Sequence, residues 1–142
     1  MADDTRGSFI RWQGITIQQL TFINNLLIGL AAGILAFQLN IVFSEYIELD
    51  CASKVLFSLS IVLIFISLAV GCSTALNRLV DFRITMRIAD KREKEDLKGI
   101  ESLRDKTNRL GKWTWRLLKA QIVIFSLGVI LIPPLAILQI ID

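Results

Sequence analysis

Ser60, Ser67 and Thr74 recur at intervals of seven, and Gly71 follows Ser67 by four. Residues at these spacings share one face of a helix. A hydroxyl acts as a nucleophile only when a base sits beside it. The 142-residue chain contains no His, and no Asp or Glu falls inside the long uncharged stretches that carry these hydroxyls. Metal binding and acid–base catalysis need ligands and proton carriers that those stretches do not hold. No enzyme, no metal and no cofactor are therefore expected. Ser60, Ser67, Gly71 and Thr74 read instead as helix-packing or pore-lining residues.

A second stripe stands earlier in the chain. Thr21, Asn25, Gly29 and Gly33 follow one another at intervals of four, with Ala32 and Ala36 beside them. Small residues at this spacing let helix backbones approach closely, and an Asn in lipid seeks a partner on another helix. Packing within one copy or between copies is the simpler expectation. A pore shared between copies, with Asn24 added to the lining, is the sharper one. Near the end of the chain only Gln121, Ser126 and Gly128 offer comparable features, and Pro133-Pro134 must kink or end a helix.

The remaining chemistry is charge. Thirteen of the sixteen Lys and Arg residues lie between Arg78 and Lys119, together with seven acidic residues. Arg78 and Asp81 are three apart and share a helix face. Arg78, Arg83, Arg87, Arg116 and Lys119 are candidate contacts for anionic lipid or another anion at the inner membrane surface, where each exposed basic residue adds about 1 kcal/mol. A plain stop-transfer cluster is the alternative. No nucleic-acid partner is expected.

These residues must be placed by helices that cross a membrane. Trp12–Ser44, Val55–Asn77 and Ala120–Ile141 are 33, 23 and 22 residues without a charge, in a chain that is 54% hydrophobic. About 20 apolar residues span a hydrocarbon core of about 30 Å. The expected fold is an all-α integral membrane protein of one domain. Its three transmembrane helices cover about 20–43, 55–76 and 117–140, and a cytoplasmic helical hairpin joins the second to the third. The stretch around Phe9, Ile10, Trp12 and Ile17 is expected to lie in the interface before the chain turns in. Trp113 and Trp115 precede the third span, where indoles favour headgroups. A cleaved signal peptide is not expected, because the first apolar stretch is too long for one.

Charge sets the orientation. The loop 44–54 carries Glu45, Glu48 and Asp50 against Lys54, whereas 78–119 is strongly basic. Basic segments stay in the cytoplasm. The N-terminus and the 78–119 segment are expected on the cytoplasmic side of the cell (inner) membrane, and the C-terminus on the outer side. Cys51 and Cys72 then lie on opposite sides, so no intrachain disulfide is expected.

Within 78–119, acidic and basic residues alternate from Asp90 to Asp96, as in a solvated helix. Apolar residues recur before and after that run, and the chain is expected to reverse between Asp90 and Gly99. The leading functional expectation is a small homo-oligomeric membrane protein that forms a pore or perturbs the bilayer. The alternative is a non-catalytic subunit or scaffold that docks a cytoplasmic protein partner through 78–119.

Overall fold

The computed structural model describes residues 2–43, 51–96 and 98–132. It contains three helices: α1 (Ala2–Phe43), α2 (Cys51–Glu93) and α3 (Ile100–Ile130), with no strand among the described residues. Each is long and apolar enough to cross a membrane. At about 1.5 Å per residue, α2 is about 64 Å long, twice a hydrocarbon core.

A seven-residue repeat sets which faces meet. On α2 the buried residues Ser53, Ser60, Ser67, Thr74 and Ile88 keep this interval, with half-buried Asp81 filling the missing step. Phe57, Ile64 and Gly71 form a second buried row, continued by half-buried Arg78. On α3 the row is Ile100, Thr107, Thr114, Gln121 and Gly128. On α1 it is Ile17, Asn24, Ala31 and Gln38. A period of 3.5 residues keeps one seam facing a partner over many turns, with left-handed packing. Partners run in opposite directions along α2 and α3: Ser60 meets Gly128, Ser67 meets Gln121, and Asn77 meets Leu110 and Thr114. Those two helices are therefore antiparallel. They make the main interface, and α1 lies chiefly along α2. Gln38 meets Ser60 while Arg78 reaches Ile17, so α1 is antiparallel to α2 as well.

The reversal between α2 and α3 occupies residues 94–99. Glu95 N–H donates to Arg92 O and Asp96 N–H donates to Lys91 O, at 3.2 and 3.0 Å. This nested pair is a Schellman cap, which requires a left-handed residue. Glu95 fills that position with φ of 57°, and Gly99 repeats the conformation at 78° as α3 begins. The Lys91 ammonium ties the turn together through Asp96 Oδ2 at 2.9 Å and the Lys98 carbonyl at 2.8 Å. The hydrogen bond from Lys91, and next the one from the Lys98 N–H, hold the Asp96 carboxyl below its ordinary range.

One feature differs from the sequence reading. α1 is one uninterrupted helix from Ala2, with no turn separating an interfacial segment from a span. No Pro interrupts it, and Arg78 grips its Ile17 carbonyl, so the register with α2 continues past Leu20. Pro133, Pro134, the acidic loop 44–50 and the last turns of the third stretch lie outside the described residues.

The turn makes a quantitative prediction. A left-handed conformation costs a residue with a Cβ about 1 kcal/mol. Glu95→Gly is expected to stabilise the chain by up to that amount, and Gly99→Ala to destabilise it by a similar amount. Thermal unfolding in detergent micelles reads both. A lower midpoint for Glu95→Gly would show that its side chain contributes more than its backbone strain removes.

Candidate functional site

The interior of the helix bundle is unusually polar. Gln38 Nε2 donates to Ser60 Oγ at 2.8 Å, and Ser60 Oγ donates to the Gly128 carbonyl at 2.8 Å. One hydroxyl therefore joins all three helices. Seven residues along, Ser67 Oγ donates to the Gln121 carbonyl at 3.3 Å. Asn24 Nδ2 donates to the Gly71 carbonyl at the same distance. Thr74 turns its hydroxyl back to its own helix at the Val70 carbonyl, which removes its donor from the seam. Next, Asn77 Nδ2 donates to Leu110 O at 3.0 Å and to Thr114 Oγ1 at 2.8 Å.

Close approach makes these bonds reachable. A Cβ on Gly71 would stand 2.5 Å from Gln121 Nε2 and 2.8 Å from Ile28 Cγ1. A Cβ on Gly128 would stand 2.7 Å from Ile64 Cδ1 and 3.3 Å from Leu63 Cβ. Short hydroxyl side chains bond a neighbouring backbone only where that backbone is near, and glycine brings it near.

The seam is not fully satisfied. Asn24 Oδ1, Gln38 Oε1 and both amide ends of Gln121 are buried without a hydrogen-bond partner. An unpaired buried polar group costs about 1–3 kcal/mol. These amides therefore oppose stability, while the paired hydroxyls support it.

Next to Thr114 a cleft of about 450 Å³ opens between the three helices. It is lined by Trp12, Thr16, Ile17, Leu20, Arg78, Asp81, Gly111, Thr114 and Trp115. Arg78 Nη1 donates to Thr21 Oγ1 at 2.9 Å and to the Ile17 carbonyl at 3.3 Å, which fixes its guanidinium between α1 and α2. The guanidinium also lies 5.4 Å from the Phe82 ring centre. Asp81 stands one turn further on, beside Thr107 of α3. Burial pushes its carboxyl above the ordinary value of 3.8, against the opposing effects of the Thr107 hydroxyl and the Arg78 charge. Neither Asp81 Oδ1 nor Thr107 Oγ1 closes a full hydrogen bond.

The residues singled out from sequence separate into three places. Ser60, Ser67, Gly71 and Thr74 are buried between the helices, together with Asn24. Thr21, Asn25, Gly29 and Gly33 lie on the outer surface of α1, and a Cβ on either glycine would meet nothing within 4 Å. Of these four, Thr21 alone engages another helix, as the acceptor for Arg78. Among the basic candidates Arg78 enters the cleft. Arg83, Arg87, Arg116 and Lys119 are exposed and do not line it, and Arg116 lies over Trp113 at 6.0 Å. Sequence reasoning passed over Gln38, Asn77 and Thr114 as polar links. For Gln38 and Thr114 the signal was the interval of seven carried onto α1 and α3; Asn77 lies beside the α2 rows and not in them. Cys51 and Cys72 are both free and exposed.

No protein-family model matches the chain, and comparisons with curated proteins and with solved structures return no match.

The glycines divide into two testable classes. Gly71→Ala and Gly128→Ala overpack the seam and are expected to cost about 1–3 kcal/mol. Gly29→Ala and Gly33→Ala enter open space and are expected to be neutral, or slightly stabilising through helix propensity. Thermal midpoints of the four variants in one detergent check this. Equal losses at all four positions would contradict the assignment of faces.

Proposed function

We propose that this chain is a multi-pass membrane protein that spans the bilayer three times and self-associates through the outer face of α1, without enzymatic activity. The observation that carries the reading is the position of Asn25, Gly29 and Gly33. They lie within a helix long and apolar enough to cross a membrane, yet they face away from their own bundle. An amide facing hydrocarbon lacks the hydrogen bonds that water would supply, and a second copy can provide them. Glycines beside it permit the required approach.

The basic segment 78–119 faces the cytoplasm in this reading, and α2 and α3 form a helical hairpin there. The C-terminus lies on the outer side of the cell membrane. Labelling of Cys51 by an impermeant maleimide on intact cells tests that orientation, since Cys51 is outside and Cys72 is not. Anionic lipids of the inner leaflet complement the exposed Arg83, Arg87, Arg116 and Lys119. The hydroxyls of Ser60, Ser67 and Thr74 are sealed inside each protomer, so a water path in an oligomer would run between copies, along the Asn25 face.

A second reading has its own observation. Val80, Ile84, Lys106, Arg109, Leu110 and Trp113 line a groove of about 410 Å³ on the α2–α3 pair, beyond the expected inner end of the span. Such a groove supports a non-catalytic subunit that docks a cytoplasmic protein.

Detergent-purified protein distinguishes the readings. Gly29→Ile combined with Gly33→Ile is expected to reduce the oligomer to monomer without loss of helix content. An unchanged particle size counts against assembly through α1. Ion or dye release from liposomes supports a pore between copies. Tight liposomes, with a stoichiometric soluble partner lost on substitution of Trp113, favour the docking role.

A further inference from the structure

We infer that the cleft between α1, α2 and α3 binds the headgroup of a phosphoethanolamine lipid, with its phosphate on Arg78 and its ammonium on Asp81. This assignment rests on the membrane reading above and goes beyond general affinity for anionic lipid.

The two charged groups are close but do not satisfy one another. They are one helical turn apart, and no ion pair closes between them; the ion pairs formed by described residues are Lys91–Asp96 and Lys94–Asp90. Arg78 spends both Nη1 protons on Ile17 and Thr21, which leaves Nε and Nη2 as donors. Those bonds fix the guanidinium before any ligand arrives, so little ordering remains to oppose binding. Asp81 Oδ1 is buried, and the Thr107 hydroxyl beside it stops short of a full hydrogen bond, so the carboxylate keeps room for a further donor. A cleft with a fixed cation and an unsatisfied carboxylate matches a dipolar ligand, not a simple anion. A plain anion would leave Asp81 unpaired and repelled.

The surroundings point to lipid as the source of that dipole. The cleft lies just beyond the expected inner end of the second span, and two of the chain's three tryptophans, Trp12 and Trp115, border it. Indole rings prefer the headgroup layer and attract ammonium groups. Chemistry also selects among headgroups. A trimethylammonium has no N–H to donate to Asp81. A serine headgroup adds a carboxylate beside it. A glycerol headgroup brings no cation. A primary ammonium fits.

Native mass spectrometry tests the assignment on full-length protein extracted from nanodiscs holding equal phosphatidylethanolamine and phosphatidylcholine in a constant phosphatidylglycerol background. The wild type is expected to retain phosphatidylethanolamine roughly tenfold over phosphatidylcholine, the effect of one hydrogen bond to a charged group. Asp81→Asn should bring the ratio close to parity, and Arg78→Gln should reduce retention of both lipids. A series with one, two and three N-methyl groups needs no variant, and its largest fall should come at the last methyl, which removes the final N–H. Equal retention of both lipids by the wild type overturns the site, as does an unchanged ratio in Asp81→Asn. Displacement of the lipid by millimolar soluble phosphoethanolamine assigns the cleft to a free ligand and overturns the lipid assignment. A chain that remains soluble without detergent and carries no lipid at all overturns the membrane reading itself.

Discussion

One hydroxyl holds the register of this protein. Ser60 accepts from Gln38 of α1 and donates to the Gly128 carbonyl of α3, so a slip of either helix breaks a bond on α2. The arrangement depends on Gly128, since a side chain there would separate the backbones. In water, apolar burial drives helices together. In the bilayer proposed for this chain, lipid tails compete equally for apolar surface, and close packing with interhelical hydrogen bonds must supply the specificity. The interval of seven then repeats that logic at Ser67, and Asn77, outside that row, adds a further link to α3.

The same seam explains why the bundle has polar defects. Asn24, Gln38 and Gln121 bring amides long enough to reach a neighbour, and each leaves at least one buried atom unpaired. Such groups cost stability in any apolar setting. They also penalise other registers, because a wrong register would leave the paired hydroxyls unmatched as well. Arg78 and Asp81 continue the two seam rows of α2, one of which runs on to buried Ile88. The cleft is thus an opening within the packing pattern and not a separate structure. Its charges are held in place by the same register that Ser60 sets.

Much of this was legible in the sequence. Uncharged stretches of the right length marked three long apolar helices, and the absence of Pro between Arg78 and Lys119 allowed α2 and α3 to run on beyond them. The hydroxyl interval on α2 stood out because Ser and Thr contrast with an apolar background. On α1 the contrast misleads. Thr21, Asn25, Gly29 and Gly33 draw the eye, yet the inward row is Ile17, Asn24, Ala31 and Gln38. Both faces of such a helix are apolar, so hydropathy does not separate them; only the match of interval with α2 and α3 does. The Arg78–Asp81 pairing on one face could be read from spacing. The cleft could not, because it depends on Trp12 and Trp115 arriving from two other helices. Nor did the sequence announce the left-handed Glu95, which occupies a place usually taken by glycine.

The central claim is that one register, set at Ser60, locks the three helices within a single chain. Disulfide trapping in native membranes tests it most directly. Asn77→Cys with Thr114→Cys, whose side chains touch across α2 and α3 and whose replacement leaves Ser60 and Gly128 intact, is expected to cross-link rapidly within one chain in a background of Cys51→Ser and Cys72→Ser. Phe65→Cys with Val123→Cys, both on outward surfaces, is expected to remain uncrosslinked within the chain. Absence of the 77–114 bond, or its appearance only between chains, would contradict the account.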